Sequence, residues 1–220
     1  MRAVNWEDLD GRELEQEMQR CRQHNEAFRD MPVFRESSFD KDNGAVPQMT
    51  EAKRYADHWS EMKQNGIGLL LWGAVGSGKS FAAACIANAV FDCGQTARMT
   101  TLGAVLRNLP ALSPQEKNQY LSDLLHCDLL VLDDFGTERR TDYGKEQIFA
   151  LIDGRYLTGK PMIVTTNLTL QELKHPQDLA LQRVCDRILE RCVPVCFDGA
   201  NLRQTNAKAQ MALYKSLTRP

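Results

Sequence analysis

Apolar and polar positions along this chain change rhythm near residue 66. Before it, Leu14, Met18, Cys21 and Phe28 recur at i, i+4, i+7 and i+14 among charged residues, with Asn25 as an interruption. That spacing predicts one long helix over 7–30. Met31-Pro32 ends it, because proline lacks an N–H and restrains the residue before it. Residues 32–49 hold Asn43-Gly44 and Pro47 and read as loop. Thr50 is placed to cap a helix over 51–64, with Glu51 in its first turn and Tyr55, Trp59 and Met62 along its apolar side.

From Gly66 onward, short apolar runs alternate with helical patterns. The runs at 67–72, 96–100, 128–133, 161–166 and 193–197 read as strands, and the segments 79–92, 101–108, 115–126, 144–157 and 178–191 as helices. Near-continuous apolar strands separated by helices predict an α/β fold, a parallel sheet covered on both faces.

Composition narrows the function classes. The chain carries 27 Lys+Arg against 29 Asp+Glu, a net charge of −2, so contact with nucleic acid must come from a local surface. The apolar stretches Ile67–Gly76 and Phe81–Ala87 are shorter than the roughly 18–20 residues of a membrane helix. Met1–Asp10 carries Glu7, Asp8 and Asp10 and has no apolar signal core, so the expectation is a soluble cytoplasmic protein with no membrane partner. The seven cysteines form no C-x-x-C pair. They read as buried reduced thiols rather than a site built from Cys192, Cys196 and His175.

Candidate chemistry begins at Gly73-Ala74-Val75-Gly76-Ser77-Gly78-Lys79-Ser80, which fits G-x-x-x-x-G-K-[S/T] directly after an apolar strand and before a helix. Glycines let successive N–H groups face a phosphate, and the helix that follows adds its positive end. Lys79 can then reach the β- and γ-phosphates of ATP, and the Ser80 hydroxyl can ligate Mg²⁺. The spacing is not the G-x-G-x-x-G of dinucleotide folds.

Leu129–Asp134 is an apolar run ending in two carboxylates. On a strand neighbouring the phosphate loop, Asp133 can hold Mg²⁺ through water and Asp134 can polarise the attacking water. Asp134-Phe135-Gly136 also spells a protein-kinase metal motif, but the catalytic-loop and lysine-strand motifs that accompany it are absent. Asn167, after the run ending Thr165-Thr166, either meets the γ-phosphate and its water or caps the next helix. Arg183, Arg187 and Arg191 share one helix face, which is either solvated or supplies an arginine finger to a neighbouring subunit; Arg203 poses the same alternative.

Gly73–Ser80, Leu129–Gly136, Thr165–Asn167 and Asp186-Arg187-Ile188 through Asn201-Leu202-Arg203 together resemble the DnaC/DnaI-type AAA+ ATPases. These are bacterial and phage replicative-helicase loaders, and IstB, an ATPase of transposition, is their close relative. Phe34-Arg35 followed by Phe39-Asp40 is similar to the segment that opens the ATPase domain in this group. The resemblance spans about residues 32–204 and implies a P-loop NTPase of AAA+ type, a five-stranded parallel sheet flanked by helices. It places the ATPase domain at 32–204. The stripe before that domain reads as a helical extension at 1–31 that either binds a partner or packs on its own domain. Arg203, Lys208, Lys215 and Arg219, with no acidic residue over 201–220, make 205–220 a basic tail and a candidate DNA contact. The resemblance further implies ATP and Mg²⁺ as cofactors held by Lys79, Ser80 and Asp133, with Asp134 as the second Walker B carboxylate. Asn167 would be sensor 1, Arg187 the arginine finger and Arg203 a sensor-2 arginine. Thr100–Leu109 lies where loaders carry a helix associated with single-stranded DNA.

The implied partners are a hexameric DnaB-type replicative helicase, single-stranded DNA and further copies of the chain in a ring or spiral. Two features depart from the pattern. Asp134 stands where AAA+ proteins usually have a glutamate, which predicts slow hydrolysis, and the N-terminal extension lacks the zinc-ligand spacing of some loaders. A transposition ATPase and a small-molecule P-loop kinase are the alternative functions.

Overall fold

The computed structural model describes residues 10–137, 141–176, 178–199 and 201–218, with only the backbone of 205, 206 and 209. Glu7, Asp8 and Arg219 therefore lie outside the described residues. The five apolar runs form strands β1 (Gly68–Gly73), β2 (Ala97–Thr101), β3 (Leu129–Phe135), β4 (Met162–Thr166) and β5 (Cys192–Phe197). All pair in parallel, in the order β2-β3-β4-β1-β5. The acidic strand is thus not a neighbour of the phosphate-loop strand, contrary to expectation. β4 stands between them.

Side-chain parity divides the interior into two layers. Leu69, Leu71, Leu129, Val131 and Ile163 face helix α4 (Lys79–Asp92), while Leu70, Leu130, Leu132, Met162 and Val164 face the opposite layer. That layer comprises α5 (Leu102–Asn108), α6 (Pro114–His126), α7 (Asp142–Thr158), α8 (Leu170–Lys174) and α9 (Leu179–Arg191). Helix α4 is buried almost all round: Ala82, Ala83, Ala84 and Ala87 let it lie close to the sheet, with other helices packed outside.

On the outer side of α4 lie α1 (Gly11–Ala27), α2 (Met49–Asp57) and α3 (Trp59–Asn65). α1 starts where Asp10 caps it reciprocally with Glu13, and it ends at Ala27, short of the expected residue 30. The helix expected over 51–64 is two helices. It begins at Met49 without a cap from Thr50, and it breaks at His58, whose backbone N–H and ring Nδ1 both meet the Arg54 carbonyl. α8, opened by a Thr169–Glu172 capping box, and α10 (Leu202–Thr218) are additional to the expected set.

The stripe on α1 splits by depth. Phe28, just past its end, is fully buried and Cys21 half-buried, whereas Leu14 and Met18 are 36% and 43% exposed. The inner end docks instead through His24, whose Nε2 lies 2.7 Å from the Asn88 side-chain oxygen on α4. The thiols are not uniformly buried either: Cys85, Cys127, Cys185 and Cys192 are, Cys21 and Cys196 are half-buried, and Cys93 is exposed. Among the described residues, no helix is long and apolar enough to cross a membrane.

Candidate functional site

Residues 73–78 leave β1 and curl into the amino end of α4. Gly73, Gly76 and Gly78 have φ of 133°, 80° and 101°, the region glycine alone enters freely. A Cβ at Gly73 would lie 2.2 Å from the Phe197 carbonyl oxygen, so that position also needs glycine for space. Gly78 is the N-cap of α4 and offers no side-chain cap. The uncapped first-turn N–H groups and the positive helix end open on a cleft of about 420 Å³. The start of α10 backs the loop: Leu202 N–H donates to the Gly76 carbonyl at 2.9 Å. Phe34, Val46 and Met49 give the cleft an apolar wall.

Lys79 is 5% exposed, and its ammonium donates to the Gly73 and Ala74 carbonyls at 2.9 and 2.7 Å. A third bond reaches Asn167 Oδ1 at 2.9 Å. Burial pulls this ammonium below the usual lysine range, against the raising influence of Asp134 and Asp133. Asn167 therefore belongs to the site; Thr169, not Asn167, caps the helix that follows.

The carboxylates are presented by an irregularity in β3. Leu132 pairs with Val164 and Phe135 with Thr166, so Asp133 and Asp134 together oppose Thr165 alone. This β-bulge coincides with Asp134 at φ 56°, the one non-glycine with positive φ among the described residues. It also resets parity, since Phe135 packs in the α7 layer although odd-numbered residues earlier in β3 face α4. Two adjacent strand residues would otherwise point to opposite faces. Here Asp134 lines the cleft, while Asp133, 2% exposed, accepts a hydrogen bond from the Thr165 hydroxyl at 2.6 Å and is influenced by the Ser80 hydroxyl. Burial pushes Asp133 above the usual carboxylate range, and those hydroxyls oppose the shift. Hydroxyl and carboxylate oxygens together form a donor set suited to a hard divalent cation such as Mg²⁺.

Of the arginines, Arg203 lines the same cleft and Arg187 does not. Arg187 Nε and Nη2 each lie 2.6 Å from Asp153 Oδ1, and its guanidinium lies over the Phe149 and Tyr156 rings. The phosphate loop, both aspartates, Asn167 and Arg203 are thus gathered within one chain, with Arg187 on another surface. A reading of the sequence includes Thr165 and Phe34 only as parts of longer motifs, gives neither a role of its own, and misses Val46 and Met49 as cleft lining. A threonine in a β-branched run looks like an ordinary strand former, and Phe34, Val46 and Met49 are scattered through loop and helix start.

A family model described as IstB-like ATP binding protein matches residues 8–210. The chain belongs to this family. Among relatives of this IstB-like ATP-binding chain, the replicative helicase loader DnaI of Bacillus subtilis is 28% identical over 149 residues, covering 63% of the chain and 48% of DnaI. The replicative helicase loader DnaC of Escherichia coli is 27% identical over 148 residues, covering 66% and 58%. The chain therefore spans about half of these relatives' length. The crystal structure of the DnaC helicase loader superposes with a TM-score of 0.63 at 25% identity, covering 74% of this chain and 98% of that one. The architecture is the AAA+ P-loop fold that the motifs imply.

Proposed function

We propose that this chain is an ATP-driven loader that delivers a hexameric DnaB-type replicative helicase to single-stranded DNA, hydrolysing Mg·ATP slowly within a ring or spiral of its own copies. The observation that carries the nucleotide reading is the bond from Lys79 to Asn167 beside the uncapped start of α4. It sets a cation, a neutral amide and open backbone donors around one point. The helicase reading is supported by the activity named for the DnaI and DnaC relatives.

In this mechanism the N–H groups of residues 76–80 receive the phosphates, and Lys79 exchanges its own loop's carbonyls for β- and γ-phosphate oxygens. Ser80 and Asp133 hold Mg²⁺, which supplies Lewis-acid charge at the phosphates. Asp134 polarises the attacking water and Asn167 orients it. Arg203 acts from the same chain. Arg187, remote from its own cleft, serves the cleft of the next copy. α5 and the α10 cations Lys208 and Lys215 are the DNA contacts, so binding weakens steeply with salt. Arg107 is an exposed cation of α5, while Leu102, Ala104 and Val105 are buried.

The exposed outer half of α1 is the helicase contact. The test is retention of a hexameric replicative helicase by wild type and by the double variant Leu14→Glu/Met18→Glu, with ATP titrated in parallel. Wild type retains the helicase, and the variant loses it while binding ATP normally. Equal retention by both contradicts the assignment of α1. The IstB-like family match favours a second reading, a transposition ATPase acting on duplex DNA. Retention of a transposase in place of the helicase selects it. The kinase reading draws no support from the family or the relatives.

A further inference from the structure

The bulge in β3 leaves Thr165 alone opposite two carboxylate residues, and its single hydroxyl serves both. Oγ1 donates to Asp133 Oδ1 at 2.6 Å and accepts from the Asp134 backbone N–H at 3.0 Å. The residue is fully buried on β4, the strand that separates β3 from the phosphate-loop strand. A methyl in place of this hydroxyl would leave a buried carboxylate short of a donor and a part-buried N–H without its acceptor. The neighbouring Thr166 does a different job, donating to the Phe135 carbonyl at 2.8 Å and so closing the far side of the bulge.

We infer that Thr165 is a positioning residue for the ATPase reaction: its hydroxyl aims Asp133 toward the metal and fixes the left-handed backbone that turns Asp134 into the cleft. Asp134 needs such a hold. A non-glycine residue at φ 56° is sparsely populated and persists only where surrounding contacts over-determine it. Carboxylates that ligate metals are commonly held by hydrogen-bonding partners of this kind, and losing such a partner typically lowers metal affinity or activity about 10–100-fold. The inference rests on the Mg·ATP reading proposed above and adds a residue that acts through the two aspartates without touching nucleotide.

The test compares wild type with Thr165→Val, which keeps shape and removes the hydroxyl, and Thr165→Ser, which restores it. Three quantities are read: affinity for a fluorescent ATP analogue in EDTA, Mn²⁺ binding to the nucleotide-loaded protein by electron paramagnetic resonance, and steady-state kcat and KM. For Thr165→Val the metal-free affinity stays within about two-fold of wild type. Its half-saturating Mn²⁺ concentration rises and its kcat falls by about 10–100-fold each, with KM little changed. Thr165→Ser recovers both. Should valine prevent folding, Thr165→Ala removes the same hydroxyl and must show the same pattern.

Wild-type Mn²⁺ binding and kcat in a folded hydroxyl-less variant overturn the inference. So does a proportionate loss of metal-free nucleotide affinity, which would mark a collapsed site, or a folded serine variant that fails to recover. In those cases the ATP reading stands, because wild type still binds. A wild type that binds no nucleotide overturns both.

Discussion

Lys79 and Arg155 are cations buried at opposite ends of the same sheet, and their surroundings differ. Arg155, fully buried on α7, donates to the Leu125 and Cys127 carbonyls at 2.7 Å, to Asp128 at 3.0 Å and to Pro161 at 2.5 Å. Its planar fork ties together the chain entering β3 and the chain entering β4, and all of these acceptors are fixed backbone. Lys79, at the carboxyl ends of the strands, also holds two carbonyls, but they belong to a glycine loop, and its third acceptor is a side chain. A compact ammonium on a flexible stem can trade such partners for phosphate oxygens, whereas a guanidinium spread over four carbonyls has no reason to move. Burial alone does not distinguish a structural cation from a functional one. The kind of acceptor separates the two here: fixed backbone between strands for Arg155, a glycine loop and a side-chain amide for Lys79.

The largest expected effect on stability is at Arg155. Arg155→Met should lower the unfolding free energy by about 3–5 kcal/mol, because several buried carbonyls lose their donor together. Urea denaturation measures this, and a change under about 1 kcal/mol would erase the contrast with Lys79.

Arg187 sharpens the comparison from a third position, a half-buried cation braced by Asp153 and two rings. Arg187→Ala should depress ATP turnover by roughly 10³-fold, about 4 kcal/mol, with little change in ATP affinity, since a finger acts on charge developing in the transition state. Mixing it with Lys79→Ala should restore part of the activity, because intact halves then meet across a subunit boundary. Activity that stays at the background of each variant, where wild type assembles, would place Arg187 with Arg155 as a structural cation.

The smallest effect is at His24, a buried group kept neutral rather than charged. Burial lowers its pKa, against the bond to Asn88 and the raising influence of Asp92, while Arg35 reinforces the lowering. The folded state therefore resists protonation that the unfolded chain accepts. Stability should fall as pH drops below about 6.5, the ordinary histidine value. Wild type and His24→Gln, compared by denaturation from neutral to mildly acidic pH, should diverge only on the acidic side. Parallel curves would show that His24 does not govern the docking of α1.

Much of this arrangement was legible in the sequence. The apolar runs were long enough, and the glycines and caps between them clear enough, to place all five strands within a residue or two of their observed bounds. The phosphate loop announced itself because its chemistry demands fixed residues at fixed spacing. Other features rest on what comes together across the sheet. The Thr165 hydroxyl acquires its role only when Asp133 and Asp134 bulge opposite it. Arg155, four residues before a glycine C-cap, reads as one more basic residue near a helix end. α8 is different: Thr169 followed by Glu172 is a capping box that could have revealed it. α10 lacks acidic residues and a strong apolar stripe, which made it look like a basic tail.

The proposed role of Lys79 makes its cleft a nucleotide site in which the ammonium exchanges loop carbonyls for phosphate oxygens. It is tested most directly by titrating Mg·ATP into wild type and Lys79→Ala while measuring the stability of each without nucleotide. The variant should lie within about 1 kcal/mol of wild type in stability yet lose roughly 100-fold or more in ATP affinity. Equal ATP affinity in the two proteins, or a variant that unfolds as Arg155→Met should, would contradict that role.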